Sequence, residues 1–177
     1  MIEKAKKHFM EVYEESGCKR NYPEHIHEMI KWIEKLLKQY PEADKEVLLV
    51  SAWLHDIGDI LEGDRVDHAI SSEKEARRFL EENNYEKGKL RRVAQCIRAH
   101  RNTDVAPETT EDKIIVVSDS ASHMTMSVYI RRLNEGLDAL SKLERDYADF
   151  DLFPEVKEEL KPVYNAWKQL INVYPKL

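Results

Sequence analysis

Seven histidines are spread unevenly along the 177 residues, and helical spacing separates those able to do chemistry from the rest. Steps of three and four from His25 meet Met29, Trp32, Ile33 and Leu36, an apolar face. The same steps from His27 meet Lys31, Glu34, Lys35 and Lys38, a solvated one. His25 is therefore predicted to point inward and His27 outward. The adjacent pair His55-Asp56 follows Leu48, Leu49, Ala52 and Trp53, so an imidazole and a carboxylate are carried toward the interior together. His100 shares a face with Val93, Cys96 and Ile97, and Asp119 shares one with Ile115 and Val116. Burying an ionised carboxylate is costly unless a cation or strong donors compensate. A divalent metal compensates directly, and imidazole plus carboxylate is a suitable ligand set for zinc, iron, manganese and related ions. Taken alone, His25 also reads as a core histidine bonded to a carbonyl, and a lone His-Asp pair as a helix C-terminus with the aspartate in solvent. His68, near Ser71 and Ser72, fits a ligand and a helix-start histidine about equally. His123 lies one turn beyond Asp119 and could support it, while His8 reads as a packing residue.

These residues need helices to place them. Apolar spacing of 3.6 recurs throughout and strict alternation is nearly absent, which predicts an all-α, single-domain helical bundle of about six to eight helices. The first helix is expected over 2–15, before Gly17. A second lies between Pro23 and Pro41, and a third runs from an Asp44 cap to Gly58. Ser72-Glu73-Lys74-Glu75 reads as a capping box that opens a fourth, and a fifth covers about 89–101. Thr109-Thr110-Glu111-Asp112 is a second capping box, starting a long helix to about 146 with Gly136 as a weak point. A C-terminal helix begins at Pro154, and Pro162 should kink or divide it. No repeat, linker or low-complexity tract interrupts the chain. One domain is therefore expected over 1–177, with a motif-bearing core at 21–125 and C-terminal helices at 126–177.

Composition narrows the function further. Charged residues make up 35% of the chain and the net charge is −6, which argues against an extended grip on nucleic acid. Cys18 and Cys96 form neither a disulfide framework nor a metal clip, and a reducing, cytoplasmic setting is the economical expectation. The longest nearly apolar run, Val47 to Leu54, is far too short to span a bilayer, so no membrane partner is expected. None of the five glycines belongs to a phosphate-cradling loop. Any cofactor must be held by side chains. The aromatic residues Tyr129, Tyr147, Phe150, Phe153, Tyr164 and Trp167 read as core and packing rather than as a base-stacking platform.

The ordered set His25, His55-Asp56, His68, His100, Asp119 resembles the HD-domain superfamily of metal-dependent phosphohydrolases. The resemblance rests on the segment Ala52-Trp53-Leu54-His55-Asp56-Ile57-Gly58, the Ile97-Arg98-Ala99-His100 turn, and the stretch from Glu111-Asp112-Lys113-Ile114 through Ser118-Asp119-Ser120. It covers residues 25–119. It implies that His25, His55, Asp56 and Asp119 hold a first metal. His68 and His100 would hold a second with Asp56 bridging, or would contact a substrate phosphate. The expected cofactor is one or two divalent ions, with iron, manganese, zinc, cobalt and nickel all compatible. Many relatives follow the doublet with Ile-Gly-Lys, whereas here the residues are Ile57-Gly58-Asp59. A lysine that could reach phosphate is thus replaced. Arg65, Arg98 and Arg101 are the candidate replacements for substrate binding, and Asp59 joins Asp56 as a candidate catalytic carboxylate.

The resemblance implies hydrolysis of a nucleotide or other small phosphorylated metabolite, with metal-bound hydroxide as nucleophile. Two alternatives share the same residues: a di-iron oxygenase of the superfamily, and a sensor that binds a phosphorylated ligand without turnover.

Overall fold

The structure, a computed structural model, describes residues 1–63 and 67–174. It is all-α, with no strand among the described residues. Chain contacts divide it into two compact units, Met1–Val116 and Val117–Leu177.

The first unit is built around α3 (Lys45–Leu54), in which every residue from Val47 to Leu54 is buried. A helix apolar on all sides must be covered on all sides. α1 (Ile2–Ser16), α2 (Tyr22–Leu36) and α6 (Lys87–Ala99) pack against it. Asp44 caps α3, its carboxylate accepting from the backbone N–H groups of Glu46 and Val47 at 3.0 and 3.2 Å. Gly17 takes a left-handed φ of 64° and closes α1 as expected.

Gly58 does not end α3. That helix stops at Leu54, and Gly58 lies inside a short following helix, α4 (Ile57–Glu62). The glycine serves close approach instead. A Cβ there would stand 2.2 Å from Ser71 Oγ, 2.4 Å from the Ser72 backbone nitrogen and 2.8 Å from the His68 carbonyl. Those atoms belong to α5 (His68–Glu82), which begins four residues before the expected capping box because Asp67 caps it, accepting from Ala69 N–H at 2.9 Å. Ser72 is buried in mid-helix, where its hydroxyl oxygen accepts from the Gly58 N–H at 2.9 Å. α5 in turn packs on α6. The Thr109–Asp112 capping box forms as expected: Asp112 N–H donates to Thr109 Oγ1 and Thr109 N–H to Asp112 Oδ2, at 3.1 and 3.0 Å. It opens α7 (Thr110–Thr125).

The long helix expected to reach residue 146 is broken twice. α7 ends at Thr125, and α8 (Val128–Asn134) and α9 (Ala139–Asp149) follow. Thr125 Oγ1 donates back to the Ala121 and Ser122 carbonyls at 3.4 and 3.2 Å, side-chain competition that disturbs a helix end. Gly136, with φ 69°, separates α8 from α9. After a short 3₁₀ turn (Phe150–Leu152), α10 (Pro154–Val173) runs undivided through Pro162. Glu158, Lys161 and Pro162 are all exposed, so water can satisfy the carbonyl that the proline leaves without a donor. Tyr129, Phe150, Phe153 and Tyr164 are buried in this unit, and Tyr147 stacks on Tyr164 with centroids 3.9 Å apart. No helix among the described residues is long and apolar enough to cross a membrane.

Candidate metal centre

Two histidines occupy equivalent local positions. His55 stands just past α3 and His100 just past α6, and each ring turns its Nδ1 back to a carbonyl three residues earlier. His55 Nδ1 lies 2.9 Å from Ala52 O, and His100 Nδ1 lies 2.6 Å from Ile97 O. A carbonyl only accepts, so Nδ1 carries the proton in both rings and Nε2 is left as a basic lone pair. This bond explains the break in the chain after Leu54. The imidazole takes a carbonyl that would otherwise continue the helical ladder, and the interruption turns His55 and Asp56 inward together.

Both lone pairs face Asp56. His25, from the apolar face of α2, and His55 flank its Oδ2 through Nε2 at 3.8 and 3.3 Å. His68, the first residue of α5, and His100 flank its Oδ1 through Nε2 at 3.4 and 3.7 Å. Within each pair the Nε2 atoms are 3.2 Å apart (His25–His55) and 3.1 Å apart (His68–His100). His25, His55 and His100 are buried, while His68 is partly open. Burial pushes the Asp56 carboxyl up, whereas His55, His68 and His100, when protonated, outweigh it with their positive charge and hold the group well below the usual carboxylate range; with the rings neutral, that charge has to come from a cation.

This donor set fits a divalent cation. Asp56, His68 and His100 each present one ligand atom within 4.8 Å of the others. A carboxylate ringed by imidazole lone pairs is short of positive charge, which a metal ion supplies.

A family model for the HD domain matches residues 22–124. The chain belongs to the HD-domain family. A crystal structure of a predicted HD superfamily hydrolase from an uncultured Thermotogales bacterium has the same fold, with a TM-score of 0.58 at 19% identity. The match covers 91% of this chain and 92% of that one. Among curated proteins none matches. HD domains bind divalent metals, and this HD domain has the His/Asp group to hold one.

His27, as the helical faces predict, is exposed, with its ring edge-on to Trp53. His8 packs on the Phe79 ring at 4.4 Å and bonds Glu75 at 2.8 Å. Asp119 stands on α7 in the second unit, with His123 Nε2 3.6 Å from its Oδ1. Of the three candidate arginines, Arg65 lies outside the described residues. Arg98 is paired with Asp104 and, at 3.9 Å, with Glu73. Arg101, the residue after His100, is paired with Asp67, the residue before His68.

Asp59 is embedded in a network that sequence spacing did not show. Its Oδ2 accepts from the Tyr22 hydroxyl and from Arg20 Nη1, the latter at 2.6 Å, and Arg20 also donates to Tyr22 at 3.2 Å. Tyr22 precedes His25 by three residues and Asp59 follows Asp56 by three. The two contacts are thus stacked one helical turn apart. Burial, then the Asp56 charge, then the bond to Asp59 raise the Tyr22 hydroxyl far above its ordinary range and keep it a donor. The i, i+3 spacing of Tyr22 and His25 was a usable signal for this residue; nothing in the sequence pointed to Arg20.

Proposed function

We propose that this HD domain is a metal-dependent phosphohydrolase acting on a nucleotide or another small phosphorylated metabolite. The observation that supports this most is the division of four histidines into two pairs, one on each oxygen of Asp56. In this reading His25, His55 and Asp56 hold one ion, and His68, His100 and Asp56 hold a second; Asp119 is a further metal ligand that the family resemblance implies. Divalent ions there would supply an acidified water at neutral pH and positive charge for phosphoryl oxygens. The protein's own groups do the rest. Asp59, its Oδ2 fixed by Tyr22 and Arg20, exchanges a proton with water at Oδ1. Arg101 and Arg98, and Arg65 from the same candidate set, supply cationic contacts to phosphate in place of the missing lysine.

The test is a screen of phosphorylated metabolites with protein loaded in turn with manganese, iron, cobalt, nickel and zinc. Release of inorganic phosphate that depends on the ion, with Arg101→Ala raising KM while retaining metal, is the expected result. Oxygen consumption by the iron form with no phosphoester cleaved would move the assignment to the oxygenase. Tight binding of a phosphorylated ligand without turnover would move it to the sensor.

A further inference from the structure

The second unit contains a buried network of ionisable groups that the proposed reaction does not use. Asp146 of α9 is 1% exposed. Its Oδ2 accepts from the Tyr129 hydroxyl of α8 at 2.8 Å, and its Oδ1 is bonded by Lys142, one turn earlier on α9. Lys142 Nζ also lies 2.9 Å from Nδ1 of His123 on α7. On the far side of that ring, Nε2 stands 3.6 Å from Asp119 Oδ1.

The chemistry of Lys142 decides where the His123 proton sits. An ammonium has protons and no lone pair, so the nitrogen it touches must accept. Asp146 Oδ2 also approaches Nδ1, but at 3.4 Å, and that oxygen already receives the Tyr129 hydroxyl. Nδ1 is therefore the acceptor and Nε2 carries the N–H, on the side of Asp119. The 3.6 Å gap is longer than a hydrogen bond, so the N–H orients the carboxylate electrostatically rather than through a made bond.

We infer that His123 is a positioning residue for Asp119, held in the required tautomer by Lys142 and Asp146. The inference rests on the reading of Asp119 as a metal ligand. Carboxylate and histidine ligands depend on such outer partners for orientation, and loss of one typically weakens metal binding about 10–100-fold.

Cobalt(II) titration of the metal-stripped full chain, followed by its absorption spectrum, tests this without any substrate. His123→Leu should weaken cobalt binding about 10–100-fold and alter the spectrum. His123→Gln, whose amide N–H replaces Nε2–H, should restore most of the affinity. A role confined to packing would lower the melting temperature of His123→Leu and leave cobalt affinity in the folded protein unchanged. Wild-type affinity in His123→Leu, alongside loss of binding in Asp119→Ala, would overturn the inference and leave the ligand reading standing. Wild-type affinity in Asp119→Ala would overturn the ligand reading itself. Nitrogen-15 NMR of the unsubstituted protein needs no variant to fold: the proton is expected on Nε2 of His123, and a proton on Nδ1 alone would overturn the inference.

Discussion

The two units use the same residue types to opposite ends. In the first, His25, His55, His68 and His100 surround Asp56, and the rings of His55 and His100 have their protons committed to backbone carbonyls. Lone pairs and a carboxylate converge there, and among the described residues no lysine or arginine is paired with Asp56. In the second, Asp146 is buried more deeply than Asp56 and receives Lys142 and Tyr129 directly. On the proposed reading one cluster draws its positive charge from a bound ion, and the other contains its own. A buried His/Asp group therefore points to a metal when its donors are already spent elsewhere, and to internal support when a lysine completes it.

The largest effect expected concerns the first cluster. His55→Ala and His100→Ala should each weaken divalent-ion binding by at least ~100-fold, since a lost ligand costs more than a lost outer partner. His27→Ala, on the exposed face of the same helix as His25, should bind like the parent. Equal affinity in all three, read by chelator competition, would erase the contrast between the units.

Next comes the self-contained network. Lys142→Met leaves the Asp146 charge buried and uncompensated, which should cost about 3–5 kcal/mol of stability in denaturant unfolding. Lys142→Met combined with Asp146→Leu should recover much of that loss, because neither charge then remains. A double variant as unstable as the single one would show that packing, rather than charge balance, dominates there.

Gly58→Ala probes the frame that holds the doublet in place. Its added carbon would overlap the Ser72 backbone nitrogen and Ser71 Oγ, and a loss of about 1–3 kcal/mol is expected, with thermal unfolding as the measure. A neutral result would mean that α4 and α5 can separate at no cost.

The smallest effect belongs to an ion pair in the first unit that is already complete. Burial raises the Glu75 carboxyl, but its bonds to His8 and Arg78 prevail and bring it from 4.5 down to about 2. A depressed carboxylate stabilises the fold fully above its unfolded value, and that contribution fades as pH falls from about 4.5 through about 2. Glu75→Gln should therefore flatten the stability–pH curve across that window and leave metal binding unchanged.

Much of this was legible in the sequence. Helical steps separated inward His25 from outward His27, and the capping residues Asp44 and Thr109 marked two helix starts. Other features depended on contacts between elements. Gly58 reads locally as a helix stop, yet it is a glycine because α5 crosses against it. Ser72 reads as a cap, yet Asp67 caps that helix and Ser72 bonds the Gly58 backbone instead. Pro162 reads as a break, yet its place on the exposed side of α10 makes the lost hydrogen bond tolerable. Arg20 reaches Asp59 across 39 positions, and Lys142 reaches His123 across 19. No local pattern encodes either contact.

The central claim is that Asp56 organises two histidine pairs into one divalent-metal centre. Metal-stripped protein titrated with manganese(II), with bound ion counted against chain by elemental analysis, tests it most directly. Two ions per chain are expected in the parent protein, with neither retained tightly in Asp56→Ala. Tight binding at parental stoichiometry in Asp56→Ala would contradict the account.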